Sequence, residues 1–166
     1  MVVVTAILAV SVLSACTQDD SVQVKSYNND IVQIQKDMFT KAEDASAVFQ
    51  QQNIDPQKVL TTLQGIQGEI NTSHDKFVKM EVPKGAERLS EAMEKFFQVE
   101  IGGIQKIIVG VQQIQGHETD PTAAQAFTDT FAQFSSQENA ALKDFYSTQQ
   151  AVADKYGQKV VQTDEN

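Results

Sequence analysis

The chain has 166 residues, a formal net charge of −9, two histidines and a single cysteine. This acidic balance argues against a basic patch that binds nucleic acid phosphates or an anionic lipid surface, and we expect no cluster of Lys and Arg. A single cysteine excludes an intramolecular disulfide, and the length suits one domain.

The first fifteen residues, MVVVTAILAVSVLSA, form an uncharged apolar run. A membrane-spanning helix needs about 20 apolar residues, so this run is too short to span a bilayer and is typical of an export signal. Left on a folded domain, it would be an exposed apolar patch prone to aggregation. We therefore predict that residues 1–15 are a signal peptide that is removed.

The stretch LSAC closes this run and ends at Cys16. It resembles the lipobox of bacterial lipoprotein precursors, in which small residues precede a cysteine that becomes the new N-terminus. The resemblance covers residues 1–16. It implies that the Cys16 thiol receives a diacylglyceryl group, that the signal is cut before it and that the freed amine is acylated. The alternative is a signal cut elsewhere, which would leave Cys16 as a free thiol.

The resemblance also implies a cellular location. Two or three acyl chains hold a protein stably at a membrane without a spanning helix, whereas one chain alone holds it marginally. The expected location is the bacterial cell envelope, with a membrane contact through Cys16. In Gram-negative members of this class the residue after the cysteine influences sorting, and Thr17 favours the periplasmic side of the outer membrane.

Four helices follow a short lipid-tethered linker, predicted at residues 16–20. Apolar residues recur there at three- and four-residue spacing, which is typical of amphipathic helices. Asp-Pro pairs at positions 55–56 and 120–121 supply an N-cap and a proline in the first helical position. The predicted helices span residues 21–52, 56–81, 86–115 and 121–157, and residues 158–166 form a flexible tail.

These elements define the expected fold class. No alternating strand segment of any length is present, and the connections between helices have only a few residues. Short connections make neighbouring helices antiparallel. The sequence therefore predicts an all-α domain, an up-down-up-down antiparallel four-helix bundle.

Small residues are expected at one height in this bundle, because residues equally distant from the centre of a turn face each other. With turns centred near residues 54, 83 and 118–119, the set includes two glycines on each of two helices. Small residues either let helices approach closely or leave a cavity for a ligand. The candidate cavity residues are Gly65, Gly68, Gly102 and Gly103.

The third helix has the widest apolar face, in the segment IGGIQKIIVGVQQI. Ile107, Val109 and Ile114 extend this face beyond one stripe. Either this helix is the most buried of the four, or these residues form a docking face for a partner protein or lipid.

Catalytic and metal-binding patterns are weak. Glu43, Glu69, Glu100 and Glu138 fall near one level, but the Glu-x-x-His pairs of di-metal carboxylate bundles are absent, so we expect solvated carboxylates and no metal. His74 opposite Met93 fits a haem ligand pair less well than ordinary core packing. We expect neither an enzyme nor a bound cofactor.

The function predicted from the sequence is a membrane-tethered envelope lipoprotein that acts as a non-enzymatic binding or scaffold module. The expected partner is another envelope protein and not nucleic acid. The alternative is a carrier of an apolar small molecule or cofactor in the mid-bundle cavity.

Overall fold

A computed structural model describes residues 13–46, 55–115 and 120–158, with side chains for residues 20–43, 55, 57–115 and 120–158. Within these ranges the chain forms α-helices and no strand, which confirms the all-α class. The helices are α1 (Leu13–Ser46), α2 (Pro56–Phe77), α3 (Glu87–Ile114) and α4 (Pro121–Lys155).

The two Asp-Pro pairs start α2 and α4 as predicted. The Asp55 side chain accepts a hydrogen bond from the Gln57 N–H at 2.9 Å, and the Asp120 side chain accepts one from the Thr122 N–H at 2.8 Å. Each aspartate therefore satisfies a backbone donor that the first helical turn leaves without a partner.

Helix α2 ends at Phe77, four residues before the predicted end at residue 81. The Lys79 and Met80 N–H groups bond to carbonyls three residues back, at 3.3 and 3.0 Å, so the chain tightens out of the α-helix before Pro83. Gly85 then takes a positive φ of 98°, and both carboxylate oxygens of Glu87 accept its N–H. A residue with a side chain would be strained at this φ.

Helix α1 differs from the expectation at its start. It begins at Leu13, so residues 16–20, predicted to be a linker, are helical. Its predicted end at residue 52 lies outside the described residues, as do most of the predicted signal peptide and tail.

The core receives buried side chains from all four helices. The largest that are fully buried are Phe96, Phe97, Phe145, Ile31, Leu89, Met93 and Val24. Phe97 packs against Phe77 with ring centroids 5.6 Å apart, and Phe96 against Phe39 at 6.0 Å, so this aromatic cluster joins α1, α2 and α3.

Each helix packs against the next one in the chain. Between α2 and α3, Gln67 donates to Gln105 at 2.6 Å, and His74 Nε2 lies 2.9 Å from Glu94 Oε2. Between α3 and α4, Lys95 Nζ lies 2.9 Å from Asp144 Oδ2. Lys41 pairs with Glu69 between α1 and α2. This packing is that of a helical bundle.

Helices α1 and α4 meet through neutral amides. Gln149 and Asn28, both 3% exposed, are joined by a 3.1 Å hydrogen bond from Gln149 Nε2 to Asn28 Oδ1. Gln158 accepts from Asn28 at 3.3 Å, and Gln35 donates to the Tyr146 hydroxyl at 3.3 Å. The buried amide groups therefore have the partners that burial requires.

None of the helices in the described ranges combines the length and apolar character that crossing a bilayer needs.

Candidate functional site

Cys16 lies in the first turns of α1, and the same helix continues without a break to Val24, which is fully buried in the core. Eight residues of α-helix cover about 12 Å at 1.5 Å per residue. A group attached at Cys16 would therefore be joined to the core by helix. It would lie at the end of the bundle that also holds the α2–α3 turn, because Gln23 and Tyr27 line one groove with Met80 and Pro83.

The prediction that four glycines line a cavity is wrong for Gly65 and Gly68. Gly65 and Gly68 lie on the exposed face of α2, and a Cβ added at either would meet nothing within 4 Å. The turn-centre argument fixes the height of a residue in the bundle but not the face of the helix on which it lies. These two glycines therefore line no cavity.

The other two glycines differ from each other. Gly103 is buried, and a Cβ there would overlap the ring of Phe134 on α4, so this glycine serves close packing. Gly102 has no atom within 4 Å of an added Cβ and lines an open groove between α3 and α4. The groove is lined further by Lys95, Gln98, Val99, Lys106, Gln137, Ala140 and Ala141.

The predicted docking face on the third helix does not form one surface. Ile107 is 6% exposed and belongs to the core, whereas Val109 is 41% exposed on the outer side of α3. Ile114 is partly buried. Ile107 and Val109 are two residues apart on the helix, so their side chains point in directions about 200° apart around its axis. Of the three residues, Val109 alone is exposed on the outer side of α3.

Glu100 is the main exception to the expectation of solvated carboxylates. It is 7% exposed, and its Oε1 has no hydrogen-bond partner among the described residues. Burial, followed by the charge of Glu138 on α4 and a hydrogen bond with it, raises the pKa of Glu100 to about 8. At neutral pH the Glu100 carboxyl therefore carries a proton.

Glu138 is the partner of Glu100. Its side chain is partly buried, and burial raises its pKa, while the hydrogen bond from Glu100 acts in the opposite direction. Burial and the neighbouring carboxyl group both disfavour the charged form of Glu100, and burial disfavours that of Glu138, so ionisation of this pair between α3 and α4 has a free-energy cost. The arrangement supplies a proton site at the seam of two helices.

The sequence contained a signal for the burial of Glu100. Met93, Phe96, Phe97 and Ile104 are buried residues of α3. Position 100 lies three or four residues from Phe96, Phe97 and Ile104, so it continues their stripe. Ile101 fits the same spacing after Phe97, but it is only partly buried.

The remaining candidate ligands have ordinary partners. Glu69 pairs with Lys41, and Glu43 is exposed. His74 bonds to Glu94, and its ring lies 5.1 Å from that of Phe97. Among the residues that the structure describes, no group of three or more His, Cys, Asp or Glu side chains could hold a metal ion.

Basic side chains at the end of the bundle that holds the start of α1 are mixed with acidic ones, which include Asp30, Asp75 and Asp154, so this end is not a basic cluster. The segment from residue 76 to residue 88 carries four basic and two acidic side chains. The α2–α3 turn in this segment contacts the end of α4, since a Cβ at Gly85 would overlap the Tyr156 hydroxyl. The basic side chains at this end are Lys76, Lys79, Lys84, Arg88 and Lys155.

No protein-family model, curated protein or solved structure matches this chain.

Proposed function

We propose that this chain is a bacterial cell-envelope lipoprotein, attached to a membrane by acyl groups on Cys16, and that its helical domain is a non-enzymatic binding or scaffold module. The observation that carries the proposal is the stretch LSAC, which places the only cysteine of the chain at the end of an uncharged apolar run. In a Gram-negative cell, Thr17 favours the periplasmic side of the outer membrane.

The position of Cys16 in α1 supports this role. Two or three acyl chains give stable membrane residence, since each buried methylene contributes about 0.8 kcal/mol. The helix from Cys16 to Val24 would then hold the domain within about 12 Å of the lipid. A scaffold held this close presents the opposite end of its bundle, with the starts of α2 and α4 and the end of α3, away from the membrane.

We further propose the up-down-up-down antiparallel topology for the bundle. The support comes from side-chain partners: Gly103 lies against Phe134 and Gly110 against Phe127, and both pairs are centred between residues 118 and 119. As residue numbers rise along α3, the numbers of the contacting residues on α4 fall, as expected for antiparallel helices. The pairs between α1 and α4 follow the same trend, with Asn28 bonded to Gln149 and Gln35 to Tyr146.

The carrier function gains no support from the geometry. Two of the four glycines are exposed, a third is covered by Phe134, and the fourth lines an open groove. Ligand sites for apolar molecules are concave and enclose most of the ligand surface.

The test is the distribution of the protein between membrane and soluble fractions in a bacterium that processes lipoproteins. Cys16→Ser removes the sulfur that carries the acyl groups, so we expect the variant to leave the membrane fraction. Ser21→Ala is the matched control, because it changes a side chain in the same helix outside the LSAC stretch. Both variants should retain a helical circular dichroism spectrum. Retention of Cys16→Ser in the membrane fraction at the level of the control would contradict the proposal.

A further inference from the structure

We propose that the pair Glu100–Glu138 is a pH-sensitive switch, which separates the N-terminal half of α4, residues 121–137, from α3 when the pair ionises. The rest of the domain, including the C-terminal half of α4, stays folded. The switch does not involve Cys16, so it is independent of the proposed function.

The two carboxyl groups lie at the seam of α3 and α4 without a basic side chain beside them. On α3, residues 96–104 contain no charged side chain except Glu100, and on α4, residues 134–142 contain none except Glu138. Neither glutamate forms an ion pair in the part of the chain that the structure describes. Glu100 is 7% exposed, and its Oε1 has no hydrogen-bond partner there.

The charged side chains of α1 and α2 near this level point to solvent or have other partners. Gln67 bonds to Gln105 of α3, so Glu69, two residues further along α2, lies near the level of Glu100. Glu69 pairs with Lys41 of α1, at side-chain exposures of 41% and 50%. His74 bonds to Glu94, and the other charged side chains described within about one turn on α1 are exposed: Lys36, Asp37 and Glu43.

This environment disfavours the charged form of both carboxyl groups. Burial, followed by the charge of Glu138 and a hydrogen bond with it, raises the pKa of Glu100 to about 8, and burial raises the pKa of Glu138. Separation of the two helices would return Glu100 to water, where its ordinary pKa is 4.5. The closed state therefore keeps a proton that the open state releases between these values. The ratio of open to closed protein rises with pH in this range, by up to about tenfold per pH unit.

The N-terminal half of α4 is the part of the helix that is held least. None of its side chains is buried, whereas five are buried in the C-terminal half. Phe134 and Phe127 lie over Gly103 and Gly110 of α3, and Phe131 is 54% exposed. Segments with few buried apolar contacts open at a lower free energy than the whole domain. This half can therefore separate while the core stays intact.

A pair of serines lies where the two halves of α4 meet. Ser135 and Ser136 come just before Glu138, and the buried residues of the helix begin at Ala141. Serine hydroxyls compete for backbone hydrogen bonds, so helices bend more readily at such positions. A bend here would move Glu138 and the N-terminal half away from Glu100 and leave the C-terminal half in place.

The test measures distances between α3 and α4 by electron paramagnetic resonance of paired spin labels, near pH 5 and near pH 9. Cys16→Ser first removes the only thiol of the chain. Labels on Gln113→Cys and Gln125→Cys then report on the N-terminal half of α4. The matched control carries labels on Glu91→Cys and Ser147→Cys, which report on the C-terminal half. All four labelled positions are exposed.

We expect the distance between the labels at positions 113 and 125 to increase at the higher pH, and the control distance to stay the same. Circular dichroism should show that the protein remains helical at both pH values. Glu100→Gln should abolish the increase, because the amide does not ionise. Asp129→Asn, which changes an exposed carboxylate of the N-terminal half, should leave it unaltered.

Three results would overturn the inference. The first is an equal distance between positions 113 and 125 at both pH values. The second is an increase that persists in Glu100→Gln, which would assign it to another group. The third is an equal increase in both labelled pairs, which would show that the domain unfolds as a whole.

Discussion

The two halves of α4 carry the same apolar pattern but differ in burial. The C-terminal half contributes every buried residue of the helix: Ala141, Phe145, Gln149, Val152 and Ala153. In the N-terminal half, Phe127 and Phe134 are partly buried and Phe131 is 54% exposed.

The difference follows from the number of neighbouring helices. The C-terminal half packs between α3 and α1, where Lys95 pairs with Asp144 and Asn28 bonds to Gln149. The described contacts of the N-terminal half are with α3, where Phe134 and Phe127 lie over Gly103 and Gly110. A periodic apolar stripe thus identifies the face of a helix that is buried, but not how many helices cover it.

The largest expected effect contrasts two phenylalanines of α4. Phe145→Ala removes a side chain that is fully buried, so we expect a loss of roughly 3–5 kcal/mol in the free energy of unfolding. Phe131→Ala, the matched change in the exposed half, should cost less than about 1 kcal/mol. Chemical denaturation followed by circular dichroism measures both. Equal losses would show that the two halves are equally packed.

The Glu100–Glu138 pair predicts a pH dependence at the α3–α4 seam. The pKa of Glu100 is raised from 4.5 to about 8, so the folded protein keeps a proton that the unfolded chain releases in this range. The stability contributed by this site therefore falls as the pH rises from 4.5 to 8, by up to about 1.4 kcal/mol per pH unit. Above pH 8 the Glu100 carboxyl is ionised in the folded protein as well, and the full free-energy cost of burying its charge then lowers the stability.

Replacing Glu100 by Gln tests this dependence. The amide resembles the protonated carboxyl and does not ionise, so Glu100→Gln should match the unchanged protein near pH 5 and exceed it in stability near pH 9. Glu91→Gln alters an exposed carboxylate of the same helix and should keep the slope of the unchanged protein. The measurement is the denaturant midpoint at each pH. A Glu100→Gln slope equal to that of Glu91→Gln would show that Glu100 is not the group responsible.

Gly102 and Gly103 are adjacent on α3, but only Gly103 packs tightly against α4. Gly103→Ala places a methyl group into the ring of Phe134, and overpacking of this kind costs about 1–3 kcal/mol. Gly102→Ala meets no atom within 4 Å and should stabilise the helix by up to about 1 kcal/mol. Thermal unfolding of the two variants should shift in opposite directions. A stabilising Gly103→Ala would mean that Phe134 moves away at little cost.

The smallest expected effect is at Val109. Because this side chain is 41% exposed on the outer side of α3, Val109→Asp should change the free energy of unfolding by no more than about 0.5 kcal/mol. A loss of several kcal/mol would instead assign Val109 to the core.

Local signals were sufficient to predict the elements of this fold. The Asp55–Pro56 and Asp120–Pro121 pairs fixed two helix starts, because capping and the fixed φ of proline act within one turn. The end of α2 was predicted four residues late, since the tightening before Pro83 depends on the packing of the turn.

The candidate site was harder to predict than the fold. Position 100 and position 101 both fit a helical stripe, and only the packing of α4 decides that Glu100 faces inward. The heights of Gly65 and Gly68 followed from the turns, but their exposure depends on the rotation of α2 about its axis. Rotation of a helix is set by contacts with its neighbours, which periodicity alone does not contain.

Mass spectrometry of the protein isolated from its native membranes determines whether Cys16 is acylated, on which the proposed membrane location depends. We expect an N-terminal peptide that begins at Cys16 and carries a diacylglyceryl group on the sulfur, with a further acyl group on the amine. A mature N-terminus elsewhere, with an unmodified Cys16 thiol, would contradict both the membrane location and the tethered function.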